Sequence, residues 1–166
     1  MLVNDAYYMK NALEQAKLAA EKGEIPVGAL VVDSESGEIL AAAHNLRENN
    51  KSAIAHAEVL AIEEACKKRG SWRLHGCTLY VTLEPCPMCA GALVNSRIDR
   101  VVYGAKDAKA GSCGSVCDLF SMDFNHHPQV ICGVREEECA GLLQQFFKDL
   151  RVELRSRPKW KRPTQE

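Results

Sequence analysis

Strand-like and helix-like patterns alternate along this chain, and that alternation predicts a layered α/β domain with a central sheet of about five strands. Two further observations agree. Of the 166 residues, 46% are hydrophobic, enough for one substantial core. The 26% that are charged are ordinary for a folded domain and argue against global disorder.

The elements follow in order. Asn4 suits an N-cap, and Tyr8, Ala12, Ala16, Ala19 and Ala20 recur at helical spacing until Gly23 stops the run. Val27–Val32 is a short apolar strand; Ser34-Glu35-Ser36-Gly37 turns the chain, and Glu38–Ala43 returns as the second arm of a hairpin. Residues 44–52 are polar and predict a loop. A helix is expected from near Ala55-His56, through Ala61 and Ala65, to Gly70, with Lys67, Lys68 and Arg69 at its negative end.

Thr78–Leu83 (TLYVTL) is rich in β-formers and mostly apolar, as in a buried strand. Pro87 suits the first turn of the next helix, which runs to about Ser96. Val101-Val102-Tyr103 predicts a strand, followed by a long loop carrying Gly104, Gly111 and Gly114. Val130–Val134 is a further strand, and a long helix runs from Glu136 past Phe146 and Phe147 toward Leu154, ended by Pro158. Residues 1–157 are expected to form a single domain and residues 158–166 a loose basic tail.

Composition narrows the class. No apolar run approaches the roughly 18 residues of a membrane span. Asn4, Asp5, Lys10, Asn11, Glu14 and Lys17 break any signal-peptide core, so a cytoplasmic protein without membrane association is expected. The eight cysteines include six scattered ones, Cys66, Cys77, Cys113, Cys117, Cys132 and Cys139, which read as free thiols. Cys113 and Cys117 have no matching partner pair for a second metal site. The net charge of −1 conceals an asymmetry: residues 148–166 hold seven basic against three acidic groups, +4, leaving −5 for the rest. A basic end on an acidic body suits contact with a polyanion, although solvated charged tails are common.

The chemistry concentrates in His56-Ala57-Glu58 and Pro85-Cys86-Pro87-Met88-Cys89. Cys86 and Cys89 are one helical turn apart, so both thiols leave one face, in a first turn where the helix dipole favours thiolates. His56 is expected to open its helix in the same way. A lone CxxC can be redox-active, and a lone histidine is more often structural. Together they form one imidazole and two thiolates, a ligand set that leaves zinc a fourth position for water. A structural zinc clip has no use for Glu58, which stands free to accept a proton from that water and return protons to a ring nitrogen and a departing amine. Taken alone, Glu58 is also an early-helix acid welcome at the positive end of the dipole.

The H-x-E…P-C-x-x-C pattern resembles the signature of zinc-dependent nucleobase deaminases. Along nearly all its length the chain resembles the bacterial-type tRNA adenosine deaminases. The matching stretches are Ile25–Ala29, His44-Asn45, His56–Glu58, Leu79–Arg97 and Arg100–Gly111, then Gly114-Ser115, Asn125-His126 and Phe146-Phe147. The zinc motif is common to the superfamily; the AHN, GAKDAKAG and FF-plus-basic segments are more specific. This resemblance implies a three-layer α/β/α cytidine deaminase-like fold with a central mixed sheet. It also implies one Zn2+ per subunit, a homodimer, and conversion of the wobble adenosine of a tRNA anticodon stem-loop to inosine.

By the same resemblance Asn45 contacts the inserted base, Val27 and Leu83 wall its pocket, and the backbone N–H of Ala57 orients the reacting edge. Asp107 and Lys109 meet flanking nucleotides, and Phe147 and Arg151 lie along the RNA. These residue types suit those tasks: amides read base edges, carboxylates accept from a ribose 2′-OH, aromatics stack on bases and cations meet phosphate. Phe146 and Phe147 are equally compatible with core positions. Cys113, Cys117 and the paired His126 and His127 depart from the expected pattern in the loops around the site. Three alternatives remain. A deaminase of free guanine, cytidine or deoxycytidylate would use the same ion and glutamate; a catalytically silent tRNA-binding subunit would lack Glu58; a structural zinc module would supply a fourth protein ligand.

Overall fold

The structure is a computed structural model and describes residues 4–157. The expected tail, with Pro158, Lys159, Lys161 and Arg162, lies outside the described residues. Five helices, five strands and a 3₁₀ turn at Leu119–Ser121 are present among them. The helices are α1 (Asp5–Glu21), α2 (Arg47–Asn50), α3 (Ala57–Arg69), α4 (Pro87–Asn95) and α5 (Glu136–Ser156). The strands are β1 (Gly28–Asp33), β2 (Ile39–His44), β3 (Cys77–Leu83), β4 (Arg100–Ala105) and β5 (Gln129–Cys132).

The sheet order is β2-β1-β3-β4-β5, with β1 antiparallel to both β2 and β3, and β3, β4 and β5 parallel. It is a mixed five-stranded sheet, as expected. Strand alternation divides the core in two. Ala29, Val31, Leu79, Val81 and Val101 face α3 and α4, where Ala57, Ala61, Ala65, Ala90 and Leu93 meet them. Leu30, Val32, Tyr80 and Val102 face Met9, Ala12 and Leu13 of α1 and Cys139 of α5. The three central strands are buried on both faces, which accounts for their continuous apolar runs.

Local chemistry sets the helix ends. The Asn4 side chain accepts from the Tyr7 N–H at 3.0 Å, and Gly70 closes α3 in the left-handed region. Asp5, on the first turn of α1, takes both Arg100 guanidinium nitrogens at 2.8 and 2.6 Å and the Tyr80 hydroxyl at 2.8 Å. Arg100 above all, and then Tyr80, hold the Asp5 carboxyl below its ordinary range. Gly28 lets α1 lie directly on the sheet: a Cβ there would stand 2.0 Å from the Ala12 carbonyl oxygen.

Two boundaries differ from expectation in ways that matter. The polar stretch 44–52 contains the one-turn helix α2, pinned by Glu24, whose Oε1 accepts from the Asn49 N–H and Nδ2, each at 2.8 Å. The third helix begins at Ala57, so His56 stands at its N-cap with extended backbone (φ −78°, ψ 149°). An N-cap residue is not yet turned into the helix, and the imidazole is held clear of it.

Candidate metal centre and pocket

Two helix entries meet on one side of the sheet. The chain leaves β3 through Glu84 and Pro85, and Cys86 caps α4 with extended backbone while Cys89 occupies its first turn. Cys86 therefore stands one step outside the first turn that the spacing predicts. His56 caps α3 opposite. Two positive dipole ends therefore converge on the imidazole and the two sulfurs.

His56 Nδ1 lies 3.6 Å from Cys86 Sγ and 3.5 Å from Cys89 Sγ. A tetrahedral zinc with Zn–N near 2.05 Å and Zn–S near 2.3 Å requires N···S edges of about 3.5–3.6 Å. The donor set and its spacing fit the ion. Among the described residues these three side chains form the one His/Cys/Asp/Glu group compact enough to hold a metal, all ligand atoms lying within 4.8 Å of one another. The contact with Cys86 raises the His56 pKa. The sulfur contact with Cys89 lowers that of Cys86 and raises that of Cys89, as when two sulfurs share one proton.

Glu58 lies one residue inside α3 and is 4% exposed. Burial pushes its carboxyl up to about 7. A carboxyl that exchanges its proton near neutrality beside a candidate Lewis-acid site has the attributes of a general acid/base.

His56, Glu58 and Cys86 open onto a pocket of about 200 Å³. Val27, from the start of β1, and Leu83, from the end of β3, line it together because the two strands run antiparallel. Ala57, Asn45 and Asp107 line it as well. Asn45 is 5% exposed; its Oδ1 is buried without a partner, and its Nδ2 reaches the Ile25 carbonyl at a weak 3.5 Å. A buried amide oxygen left free beside a pocket is an acceptor awaiting a donor. Its neighbour His44 engages Lys22 and, on α1, Gln15.

The remaining expected contacts are dispersed. Lys109 is exposed beyond the rim, its N–H donating to Asp107 Oδ1 at 2.9 Å. Phe147 is 38% exposed on α5 and meets Phe146 edge-on at 5.5 Å; Arg151 is exposed one turn further on. None of the three lines the pocket. The Phe147 position is therefore not a core one. His126 and His127 bind the carbonyls of Ile98 and Phe120 at 2.5 and 2.8 Å and fasten their loop.

Sequence reading missed Ile25, Arg47, Glu84 and Ala110, which also line the pocket. Arg47 and Glu24, which pins the helix of Arg47 through Asn49, carry no local signal, since their roles arise from a loop closing on itself. Glu84 had one: a carboxylate ending an apolar strand, immediately before Pro85-Cys86. It is 2% exposed; burial opposes its charge, but the Ser115 hydroxyl and three backbone N–H groups outweigh that and hold its pKa low.

The profile of the MafB19-like deaminase family matches residues 3–151. The chain is 56% identical over 151 residues to the tRNA-specific adenosine deaminase of Bacillus subtilis, covering 90% of this chain and 92% of the relative. It belongs to the tRNA-specific adenosine deaminase family. A solved structure from a study of A-to-I editing by tRNA:A34 deaminases at the wobble position superposes with TM-score 0.79 at 42% identity, covering 82% of this chain and 99% of that one. The guanine deaminase of Bacillus subtilis shares the architecture at TM-score 0.60 and 30% identity, covering 96% and 99%. The family's three-layer cytidine deaminase-like fold thus extends to enzymes of free bases. Among the described residues no helix is long and apolar enough to cross a membrane.

Proposed function

We propose that this chain hydrolyses the wobble adenosine of a tRNA anticodon stem-loop to inosine, releasing ammonia, with one zinc ion per subunit. The observation that carries this reading is a buried carboxyl, Glu58, facing the same pocket as a His-Cys-Cys group of tetrahedral spacing, in a chain of this family. Residues 1–157 act as a single deaminase domain. The enzyme is cytoplasmic and works as a homodimer.

His56, Cys86 and Cys89 would hold the ion, which would supply a Lewis acid able to lower the pKa of a bound water. Glu58 accepts a proton from the attacking water as a C–O bond forms at the purine carbon bearing the amine. It gives that proton to the adjacent ring nitrogen, takes the second from the new hydroxyl and gives it to the amine, and the C–N bond breaks; adenosine and water become inosine and ammonia. Asn45 pairs with the base edge through its uncommitted Oδ1, Val27 and Leu83 enclose the ring, and the Ala57 N–H orients the reacting edge.

Outside the pocket, Asp107 accepts from the ribose 2′-OH of a flanking nucleotide, Lys109 meets phosphate, and Phe147 and Arg151 extend the contact along α5. The test is to incubate zinc-loaded protein with an anticodon stem-loop bearing wobble adenosine and, separately, with guanine, cytidine and deoxycytidylate. Inosine formed in the stem-loop alone is the expected result. Turnover of a free base or nucleotide alone would replace this reading with that of a small-molecule deaminase.

A further inference from the structure

Glu84 is a buried carboxylate to which the chemistry above gives no part. It leaves β3 two residues before Cys86, its own N–H donating to the Ala105 carbonyl at 2.8 Å. Oε2 accepts from the Asp107 N–H at 3.0 Å and from the Ser115 hydroxyl. Oε1 accepts from the Cys113 and Ser115 N–H groups at 3.0 and 3.1 Å. All four donors belong to one segment, residues 107–115. Gly111 crosses directly above the carboxylate, and a Cβ there would lie 2.4 Å from it. The neighbouring Ser112 N–H binds the Pro85 carbonyl at 2.9 Å. One side chain therefore ties this loop to the turn that presents Cys86.

Apart from the Ser112 link to Pro85, the loop's other backbone hydrogen bonds run within residues 107–119. Between Ala105 and Leu119 there is no helix or strand, and an isolated bridge pairs Cys113 with Asp118. Asp107 contributes its own clasp, Oδ1 accepting from the N–H groups of Lys109 at 2.9 Å and Ala110 at 3.3 Å. That clasp aims the free Oδ2, but the Asp107 backbone is fixed to the body of the protein by Glu84.

We propose that Glu84 is a positioning residue that sets the Asp107 carboxylate in register with the zinc centre, so that a flanking nucleotide and the inserted base are gripped at a fixed separation. This rests on the reading of Asp107 as a nucleotide contact. Glutamine cannot substitute for Glu84: it has one oxygen, and whichever way its amide turns, an NH2 faces a backbone N–H. The Asp107 and Cys113–Ser115 ends of the loop cannot both be held.

The test compares Glu84→Gln in two backgrounds, unaltered and Asp107→Ala, on an anticodon stem-loop carrying wobble adenosine. In the first background KM rises about ten-fold, the loss expected for one hydrogen bond involving a charged group, while kcat stays within about two-fold and zinc content is unchanged. In the second, Glu84→Gln adds less than about two-fold, because the contact it positions is already gone. Ser115→Ala, which removes one donor at the exposed end of the loop, gives a smaller rise with the same dependence on Asp107 and decides the matter if Glu84→Gln does not fold. The inference is overturned if KM is unchanged, if kcat alone falls, or if the rise is equal in both backgrounds. Failure of the unaltered enzyme to act on the stem-loop would instead remove the reading on which it rests.

Discussion

Replacing Gly28 with alanine separates backbone packing from side-chain chemistry. The new Cβ would lie 2.0 Å from the Ala12 carbonyl oxygen, 2.5 Å from the Ala16 nitrogen and 2.7 Å from the Gln15 Cβ. Two of these are main-chain atoms of α1, which no rotamer change can move. To restore ordinary contact at 3.4 Å, the helix must withdraw by 1.4 Å from the strand. That displacement would unseat Met9, Ala12, Leu13 and Ala16, all at most 4% exposed. Overpacking costs ~1–3 kcal/mol when side chains can yield, and here the backbone cannot, so a loss of ~3 kcal/mol or more is expected. Against a typical total of ~5–15 kcal/mol, that loss is large.

Guanidinium unfolding with an unchanged m-value provides the measurement. Gly141→Ala serves as the opposite case: it lies within α5 with nothing within 4 Å of the added methyl, and a gain of ~0.5–1 kcal/mol is expected from helix propensity. A Gly28→Ala protein within ~0.5 kcal/mol of the unaltered one would refute the close-approach reasoning. The site should suffer too, since Gly28 pairs with His44, beside Asn45, and follows Val27.

Three other outcomes are expected. Glu58→Ala should retain zinc, measured by metal analysis, and lose ~10²–10⁴-fold or more in kcat; normal turnover by the zinc-loaded variant would remove the general acid/base. Asp107→Asn keeps the Oδ1 that clasps the loop and turns Oδ2 into a donor. It should narrow the preference for RNA over a deoxy stem-loop by ~10-fold in kcat/KM, while an unchanged ratio would count against a 2′-OH contact. Asp5→Asn should cost ~2 kcal/mol by breaking the Arg100 fork, whose partners are 22% and 17% exposed. Because its folded pKa is lowered, the Asp5 carboxylate contributes fully above its unfolded value of ~3.9 and progressively less as pH falls through the folded one. The difference in stability between the two proteins should therefore shrink below about pH 4, and a pH-independent difference would refute it.

Local pattern made most of the fold legible. TLYVTL and the Ser34–Gly37 turn speak through period and turn chemistry alone, and β3 and the β1/β2 hairpin lie within a residue or two of where those signals put them. The helix α2 was not legible, because its four polar residues have no periodicity and depend on Glu24, some 25 positions away. The same division runs through the site. His56, Cys86 and Cys89, which the fold brings together, and Glu58 beside them stand out in sequence because metal ligation and proton transfer would require particular side chains at short spacing. Glu84 and Arg47 do not, since loop closure gives them their surroundings. Phe147 is intermediate: residue type alone suited both core and surface, and its 38% exposure on α5 decided between them.

The candidate ligand atoms for a metal come from the entries of two helices that share one face of the sheet but are joined through β3. A cation bridging them links occupancy to the docking of α3 on α4. Each ten-fold rise in free metal above its dissociation constant then adds about 1.4 kcal/mol to the folded state. The amount of enzyme surviving in a cell, and not its turnover alone, would then depend on metal supply.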